Sequence, residues 1–222
     1  MENFTEILQN RRSFYALLAR IYRIEADQAL ITGMQAMTFP KETGSEKLDR
    51  GYRALEAWLA APGEDPVEDL AVDYARVFIG AGIQGKEAAY PFESVYTSPQ
   101  GLVMQDAWEK VCALYRAHGL GRPEHCDVHE DHIGLELDFM TRLIDEALAA
   151  GEKGDEGALL GSLAEQKVFI ETHLLNWIHG FLSDVRKYAE SPFYLAAADI
   201  TEAFVEMDDA LLREILEEEK AS

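Results

Sequence analysis

The sequence predicts an all-α protein, and three observations support this fold class. Apolar residues recur at intervals of three and four along most of the 222-residue chain, which is the spacing of an amphipathic helix. No stretch alternates apolar and polar residues as a half-buried strand does. The connections between helical stretches are short, apart from an aromatic segment and a glycine-containing linker, which suits a compact helical fold. We therefore expect a single compact domain of many helices.

The first part of the chain predicts three helices. Residues 10–28 carry apolar side chains at helical spacing, and a cap near Thr5 moves the start of this helix earlier. Residues 26–38 continue as a second helix. Residues 45–60 form the third helix, which ends before Pro62 because proline cannot continue it.

Two further helices flank the aromatic segment. Pro66 suits the first turn of a helix that runs to Gly80, and residues 99–119 repeat apolar side chains at helical spacing. Residues 88–96 show neither the spacing of a helix nor the alternation of a strand. Pro91 also disfavours helical backbone angles in the residue before it. This segment is predicted to be a loop that either caps a core or lines a binding groove.

A linker separates these helices from the last three. Residues 119–128 contain two glycines and a proline, so we predict an internal hinge between an N-terminal part, residues 1–118, and a C-terminal part, residues 129–222. The helices predicted after the hinge span residues 130–149, 159–188 and 192–216.

The composition restricts the classes of function. The chain has 20 Lys and Arg against 41 Asp and Glu, a formal charge of −21, which repels nucleic acid and anionic lipid. The acidic N-terminus has no basic region followed by an apolar one, and no apolar run is long enough to span a membrane. The two cysteines make no disulfide framework. We expect a soluble cytoplasmic protein that binds no nucleic acid and does not insert stably into membranes.

Metal and catalytic sites are weakly indicated. His129, His132 and Glu136 share one face of a predicted helix, but no second motif supplies the rest of a four-ligand set. Ser94 lacks the Gly-x-Ser-x-Gly frame of hydrolases, although it would form a triad if it met Asp131 and His132 in space. We predict no metal, no cofactor and no enzymatic activity, with a metal-binding or hydrolytic helical enzyme as the alternative from another class.

Four stretches of sequence carry a family resemblance. Residues 73–80 (DYARVFIG) close on Phe-x-Gly, and residues 90–96 (YPFESVY) contain Pro-x-Glu-Ser-Val-Tyr. Residues 130–140 begin with Glu-Asp-His-Ile, and residues 173–181 place His, Trp and Phe at four-residue steps. In this order, over residues 10–210, they resemble the TorD/DmsD family of chaperones for molybdenum-cofactor enzymes, which is part of the NarJ-like superfamily.

The resemblance implies an all-helical fold and a binding role rather than catalysis. Such chaperones bind the twin-arginine signal peptide of a molybdopterin oxidoreductase precursor in the cytoplasm and hold back its export until the cofactor is inserted. The implied partners are therefore a signal peptide and the apo form of its oxidoreductase. The peptide-binding residues carried over from the matching motifs are Tyr90, Pro91, Glu93, Ser94, Tyr96, Asp131 and His132, with Phe78 and Gly80 as supports. Glu93 is the expected partner of an arginine.

The resemblance leaves three points open. The family usually has proline where His129 stands, two residues before the Asp-His pair, so the geometry of this hinge is in question. Family members can dimerise by exchanging helical parts across the hinge, so both a monomer and a domain-swapped dimer are compatible with it. The alternative function is that of a NarJ-like assembly chaperone for a nitrate reductase type catalytic subunit, and the sequence does not name the client.

Overall fold

The all-α prediction is confirmed by the computed structural model, which describes residues 2–81, 88–121 and 128–221. Within these ranges the chain forms α-helices and two π-helical segments, and its only β-type pairing is an isolated bridge. The helices are α1 (Glu2–Arg23), α2 (Gln28–Gln35), α3 (Glu46–Ala60), α4 (Pro66–Tyr74), α5 (Glu93–Thr97), α6 (Asp106–Ala117), α7 (Ile133–Glu152), α8 (Glu156–Phe169), α9 (Ile178–Tyr188) and α10 (Pro192–Ala221). The first π segment (Ala75–Ile79) follows α4, and the second (Ile170–Leu174) follows α8.

Several helix ends are determined by local sequence. The Ser45 side chain accepts a hydrogen bond from the backbone N–H of Leu48 and so caps α3. Asp65 caps α4 in the same way, and Pro66 occupies the first turn. Gly80 ends the first π segment in the left-handed conformation with φ 75°, which glycine adopts without strain.

The predicted helix over residues 159–188 is interrupted, which corrects the sequence prediction. The indole N–H of Trp177 donates to the carbonyl oxygen of His173 at 2.7 Å, so that oxygen is no longer the acceptor of a regular helical bond from the Trp177 backbone. The Trp177 backbone N–H turns instead to the carbonyl of Leu174 at 3.2 Å. Helix α9 therefore begins anew at Ile178.

The region around the aromatic segment also differs from the prediction. Residues 93–96 of the predicted loop belong to α5, and residues 99–105 of the predicted following helix are not helical. Gly101 (φ 62°) and Met104 (φ 58°) both have left-handed backbone angles, which are incompatible with a continuous right-handed helix. Helix α6 accordingly begins only at Asp106.

The chain divides into two compact units, each built from separated segments. The first unit comprises Met1–Arg23, Phe92–Trp177 and Val205–Ser222, and the second comprises Ile24–Pro91 and Ile178–Phe204. The predicted hinge within one domain stays a prediction, as does the subunit exchange that it would allow. Residues 122–127 of that hinge lie outside the described residues.

In the first unit α1 packs closely against α7. A Cβ atom added at Gly134 would lie 3.0 Å from the Arg23 Cβ and 3.2 Å from the Ala19 carbonyl oxygen. The absence of a side chain at Gly134 thus permits the close approach of the two helices. Arg11 on α1 also donates to the carboxylate of Asp208 on α10 at 2.9 Å, and both side chains are buried.

The core of the second unit is aromatic. Tyr74 and Phe78 lie with their ring centroids 4.9 Å apart, and Phe78 meets Tyr194 edge-on at 5.4 Å. Phe181 of α9 packs on the same Phe78 ring.

None of the helices in the described part of the chain is long and apolar enough to cross a membrane.

Candidate functional site

Two of the sequence motifs meet in the first unit. Phe92 and His132 form the isolated antiparallel bridge, and the backbone N–H of Glu93 donates to the Asp131 carbonyl at 2.9 Å. The Asp131 carboxylate accepts from the backbone N–H of Ser94 at 2.9 Å. Asp131 therefore satisfies a free N–H group in the first turn of α5. Burial raises the pKa of Asp131, and the hydrogen bonds from Ser94 act in the opposite direction.

The residue that caps α7 is His132, the second member of the Asp-His pair. The His132 Nδ1 atom accepts from the backbone N–H of Gly134 at 3.0 Å, so the ring proton of the neutral histidine lies on Nε2. Burial, together with the charge of Arg23, lowers the pKa of His132 to about 3. His132 is therefore an uncharged, buried side chain at neutral pH.

Ser94 and Tyr96 connect α5 to its surroundings. The Ser94 hydroxyl is buried and accepts from the backbone N–H of Gln105 at 3.1 Å, immediately before α6. The Tyr96 ring is half-buried and packs against Trp177 with a centroid separation of 5.5 Å. The predicted residues Glu93, Ser94, Tyr96, Asp131 and His132 are thus assembled in one unit.

Glu93 lies at the centre of a buried polar cluster. Its carboxylate accepts from the side-chain amide of Asn176 at 2.8 Å and is hydrogen-bonded to Nδ1 of His173 at 2.9 Å. His173 also stacks on Phe169. His173 is therefore a buried histidine that both a hydrogen bond and an aromatic stack hold in place.

Glu136 belongs to the same cluster, which sequence spacing did not reveal. It is fully buried, and one of its oxygens accepts from the indole N–H of Trp177 at 3.1 Å. Burial and the nearby Glu93 carboxylate raise the pKa of Glu136 well above its ordinary value. The sequence had placed Glu136 beside His129 and His132, whereas its polar neighbours come from α5 and the second π segment.

A groove of about 660 Å³ opens beside this cluster, within the first unit. Glu93, His173 and Asn176 line it on one side, and α6 lines it on the other. The α6 side chains that face it include acidic Asp106 and basic Lys110, together with apolar Ala107, Ala113, Leu114 and Ala117. The groove therefore combines an apolar wall with carboxylates.

The other predicted residues lie in the second unit. Phe78 and Pro91 are buried, and Tyr90 is half-buried. The Tyr90 hydroxyl lies 3.3 Å from the position that a Cβ of Gly80 would occupy. Gly80 thus leaves room for Tyr90 in addition to ending the π segment.

The family follows from comparison with known proteins. Residues 45–183 match the family model described as "Nitrate reductase delta subunit". A relative named "Chaperone protein TorD" from Vibrio cholerae is 30% identical over 155 residues, which cover 70% of this chain and 67% of the relative. The chain belongs to the TorD family. A TorD chaperone of Vibrio vulnificus is 25% identical over 218 residues, 96% of this chain and 99% of the relative.

Membership in the TorD family confirms the resemblance that the four sequence motifs indicated. The individual peptide-binding roles of the nine predicted residues stay predictions.

Proposed function

We propose that this TorD-family protein is a cytoplasmic chaperone without enzymatic activity. It binds the twin-arginine signal peptide of a molybdopterin-dependent oxidoreductase precursor and holds that precursor until its cofactor is inserted, before export. The observation that carries this proposal is the groove of the first unit that Glu93 lines, with Asp131 hydrogen-bonded to the backbone of Glu93 and Ser94. The two relatives described above are both named chaperones, which supports the same class of function.

The chemistry of the groove suits a basic and apolar peptide. The apolar side chains of α6 offer contact for a hydrophobic segment, as in helix-in-groove recognition. Glu93 and Asp106 supply carboxylates, which pair favourably with guanidinium groups. Glu93 is the proposed arginine partner, although it already binds His173 and Asn176 and would have to share or exchange those contacts. The net charge of −21 would speed association with a cationic leader.

The proposal is tested by calorimetric titration with twin-arginine leader peptides from the same genome. We expect one leader to bind with micromolar or tighter affinity. Tyr96→Ala is expected to weaken this binding, because the Tyr96 ring of α5 packs against Trp177 next to the Glu93 cluster. Asp106→Asn is expected to reduce the affinity more for a leader that retains both arginines than for a leader in which the arginines are replaced. Tyr188→Ala, which removes a half-buried tyrosine of the second unit, is the matched control.

A second variant checks the motif on α7. His132→Ala is expected to weaken leader binding, and His132→Asn retains an acceptor for the N-cap of α7. Circular dichroism of each variant separates lost binding from lost folding. Absence of binding to every leader would overturn the proposal.

A NarJ-like assembly role is the second candidate function. The observation that favours it is the description of the matching family model, which names a nitrate reductase subunit. In this case the chain would bind a mature catalytic subunit that lacks its cofactor rather than a leader peptide. Titration with such an apo subunit, produced without its signal sequence, distinguishes the two functions.

A further inference from the structure

The buried cluster around Glu93 has the composition of a metal-binding site. Glu93 from α5, Glu136 from α7 and His173 from the second π segment each present one ligand atom, and these atoms lie within 4.8 Å of one another. The His173 Nδ1 and Glu93 oxygen are 2.9 Å apart. Two ligand atoms of one tetrahedral zinc ion lie about 3.4 Å apart, so these two side chains would separate slightly to admit the ion.

Neighbouring donors hold the carboxylates in place. The Asn176 amide donates to Oε1 of Glu93, and the Trp177 indole donates to Oε2 of Glu136. The Phe169 ring stacks on the His173 imidazole. Such outer contacts orient the ligands of protein metal sites and are a normal part of them. One oxygen of each carboxylate is thus engaged by a neighbouring donor, and the other oxygen of Glu93 lies beside Nδ1 of His173.

One carboxylate oxygen of Glu136 has no hydrogen-bond partner among the described residues. Glu136 is fully buried, and no donor among the described residues reaches its Oε1 atom. A protonated Glu136 can donate to the Glu93 carboxylate, but an ionised carboxylate oxygen removed from water needs a hydrogen-bond donor or a cation. Two buried carboxylates at this separation also repel each other unless a proton or a cation stands between them.

The cluster is accessible from solvent. Glu93 and His173 both line the groove beside α6, which has a volume of about 660 Å³. An ion therefore has an entry path, which a buried metal site requires.

We propose that Glu93, Glu136 and His173 bind one divalent transition-metal ion of the zinc type. A mixed set of two carboxylates and one imidazole suits Zn²⁺ and its first-row neighbours, whereas Mg²⁺ and Ca²⁺ prefer ligand sets of oxygen alone. Three protein ligands leave at least one coordination position open on the ion. The proposal rests on this cluster and does not depend on the leader-binding function.

The test is calorimetric titration of chelator-treated protein with ZnCl₂ in the absence of any peptide. We expect saturable binding at one ion per chain, and Glu136→Gln is expected to weaken it at least about tenfold, as loss of a metal-site contact typically does. The glutamine keeps the size of the side chain and its hydrogen bond from Trp177. Titration with CoCl₂ is expected to produce a visible absorption band whose position reports nitrogen and oxygen ligands. Titration with MgCl₂ is expected to give no heat comparable to that of ZnCl₂.

Two control variants make the result specific. Glu165→Gln alters a partly exposed carboxylate beside His118 and is expected to leave zinc affinity unchanged. Cys126→Ser removes a thiol of the chain and serves as the background for all titrations. The proposal is overturned if the Cys126→Ser protein takes up no zinc, or if Glu136→Gln and Glu165→Gln bind it equally well.

Titrations of the same variants with zinc and with leader peptide test the metal site and the proposed function separately. Loss of zinc binding with retained leader binding in Glu136→Gln would show a metal site that the peptide does not need. Zinc binding without any leader binding would leave the metal proposal in place and overturn the proposed binding of a twin-arginine leader.

Discussion

Asp131 accepts a hydrogen bond from the backbone N–H of Ser94, a residue 37 positions earlier in the chain, at 2.9 Å. Both residues are fully buried. Helix α5 is only five residues long, and an isolated helix of that length has no stability of its own. Its first turn is instead held by a carboxylate that precedes α7, so the two motifs fold as one element.

Asp131→Ala is therefore expected to destabilise the protein by about 1–3 kcal/mol, because it leaves the Ser94 N–H buried without an acceptor. Asp131→Asn retains a side-chain oxygen and should lose less than half of that. Urea unfolding followed by circular dichroism measures both changes. Equal losses in the two variants would show that the charge, rather than the acceptor, holds α5.

Glycine positions in α7 offer a matched pair of substitutions. Gly134→Ala places a methyl group within 3.0–3.2 Å of Arg23, His132 and Ala19, and overpacking of this kind costs about 1–3 kcal/mol. Gly151→Ala in the same helix meets no atom within 4 Å, and should stabilise by about 0.5–1 kcal/mol. The free energies of unfolding of the two variants should change in opposite directions.

Arg11 and Arg12 are neighbours on α1 with different surroundings. The side chains of Arg11 and its partner Asp208 are 5% and 1% exposed, whereas Arg12 and Asp145 are 44% and 40% exposed. Arg11→Met should cost about 3–5 kcal/mol, because it removes the guanidinium partner of a buried carboxylate and leaves that carboxylate with the hydrogen bond from Tyr15. Arg12→Met should cost at most about 1 kcal/mol. Similar thermal midpoints for the two variants would contradict this assignment.

His118 is expected to make a contribution to the free energy of unfolding that depends on pH. Burial lowers its pKa, but hydrogen bonds to Glu165 and Glu146 outweigh that effect, and the net pKa lies above the ordinary value of 6.5. Arg142 also contacts Glu146. A folded-state pKa that is raised means that the folded protein holds the proton more tightly than the unfolded chain does. The stabilisation is thus complete below pH 6.5 and is lost as the pH rises through the folded-state pKa.

The variant His118→Gln isolates this contribution. The difference in unfolding free energy between the wild type and the variant should be larger at about pH 5.5 than at about pH 8.5. Urea unfolding at both values gives the comparison. A difference that does not change between them would mean that the imidazolium pairs are not the source of the stabilisation.

Sequence reasoning succeeded where structure follows from local chemistry. Ser45, Pro66 and Pro192 sit at or beside the predicted starts of α3, α4 and α10, because caps and proline act within one turn. The all-α class follows in the same way from helical periodicity. The long final helix needed no information beyond its own residues.

The features that sequence reasoning missed depend on contacts between residues that are far apart in the chain. Helix α5 exists because of Asp131, and the break before α9 arises where the Trp177 indole takes the His173 carbonyl. The cluster that joins Glu136 to Glu93 and His173 draws on three separate elements. Spacing within one helix cannot reveal such contacts. The exceptional burial of Glu136 becomes visible only after its helix is placed in the core.

The interleaved origin of the two units determines when they can form during protein synthesis. The first unit includes Val205–Ser222, and the second includes Ile178–Phe204. A nascent chain that has emerged only to Trp177 lacks a segment of both units, including the Asp208 that neutralises Arg11. Native packing of either unit must therefore wait until its segment beyond Trp177 has left the ribosome.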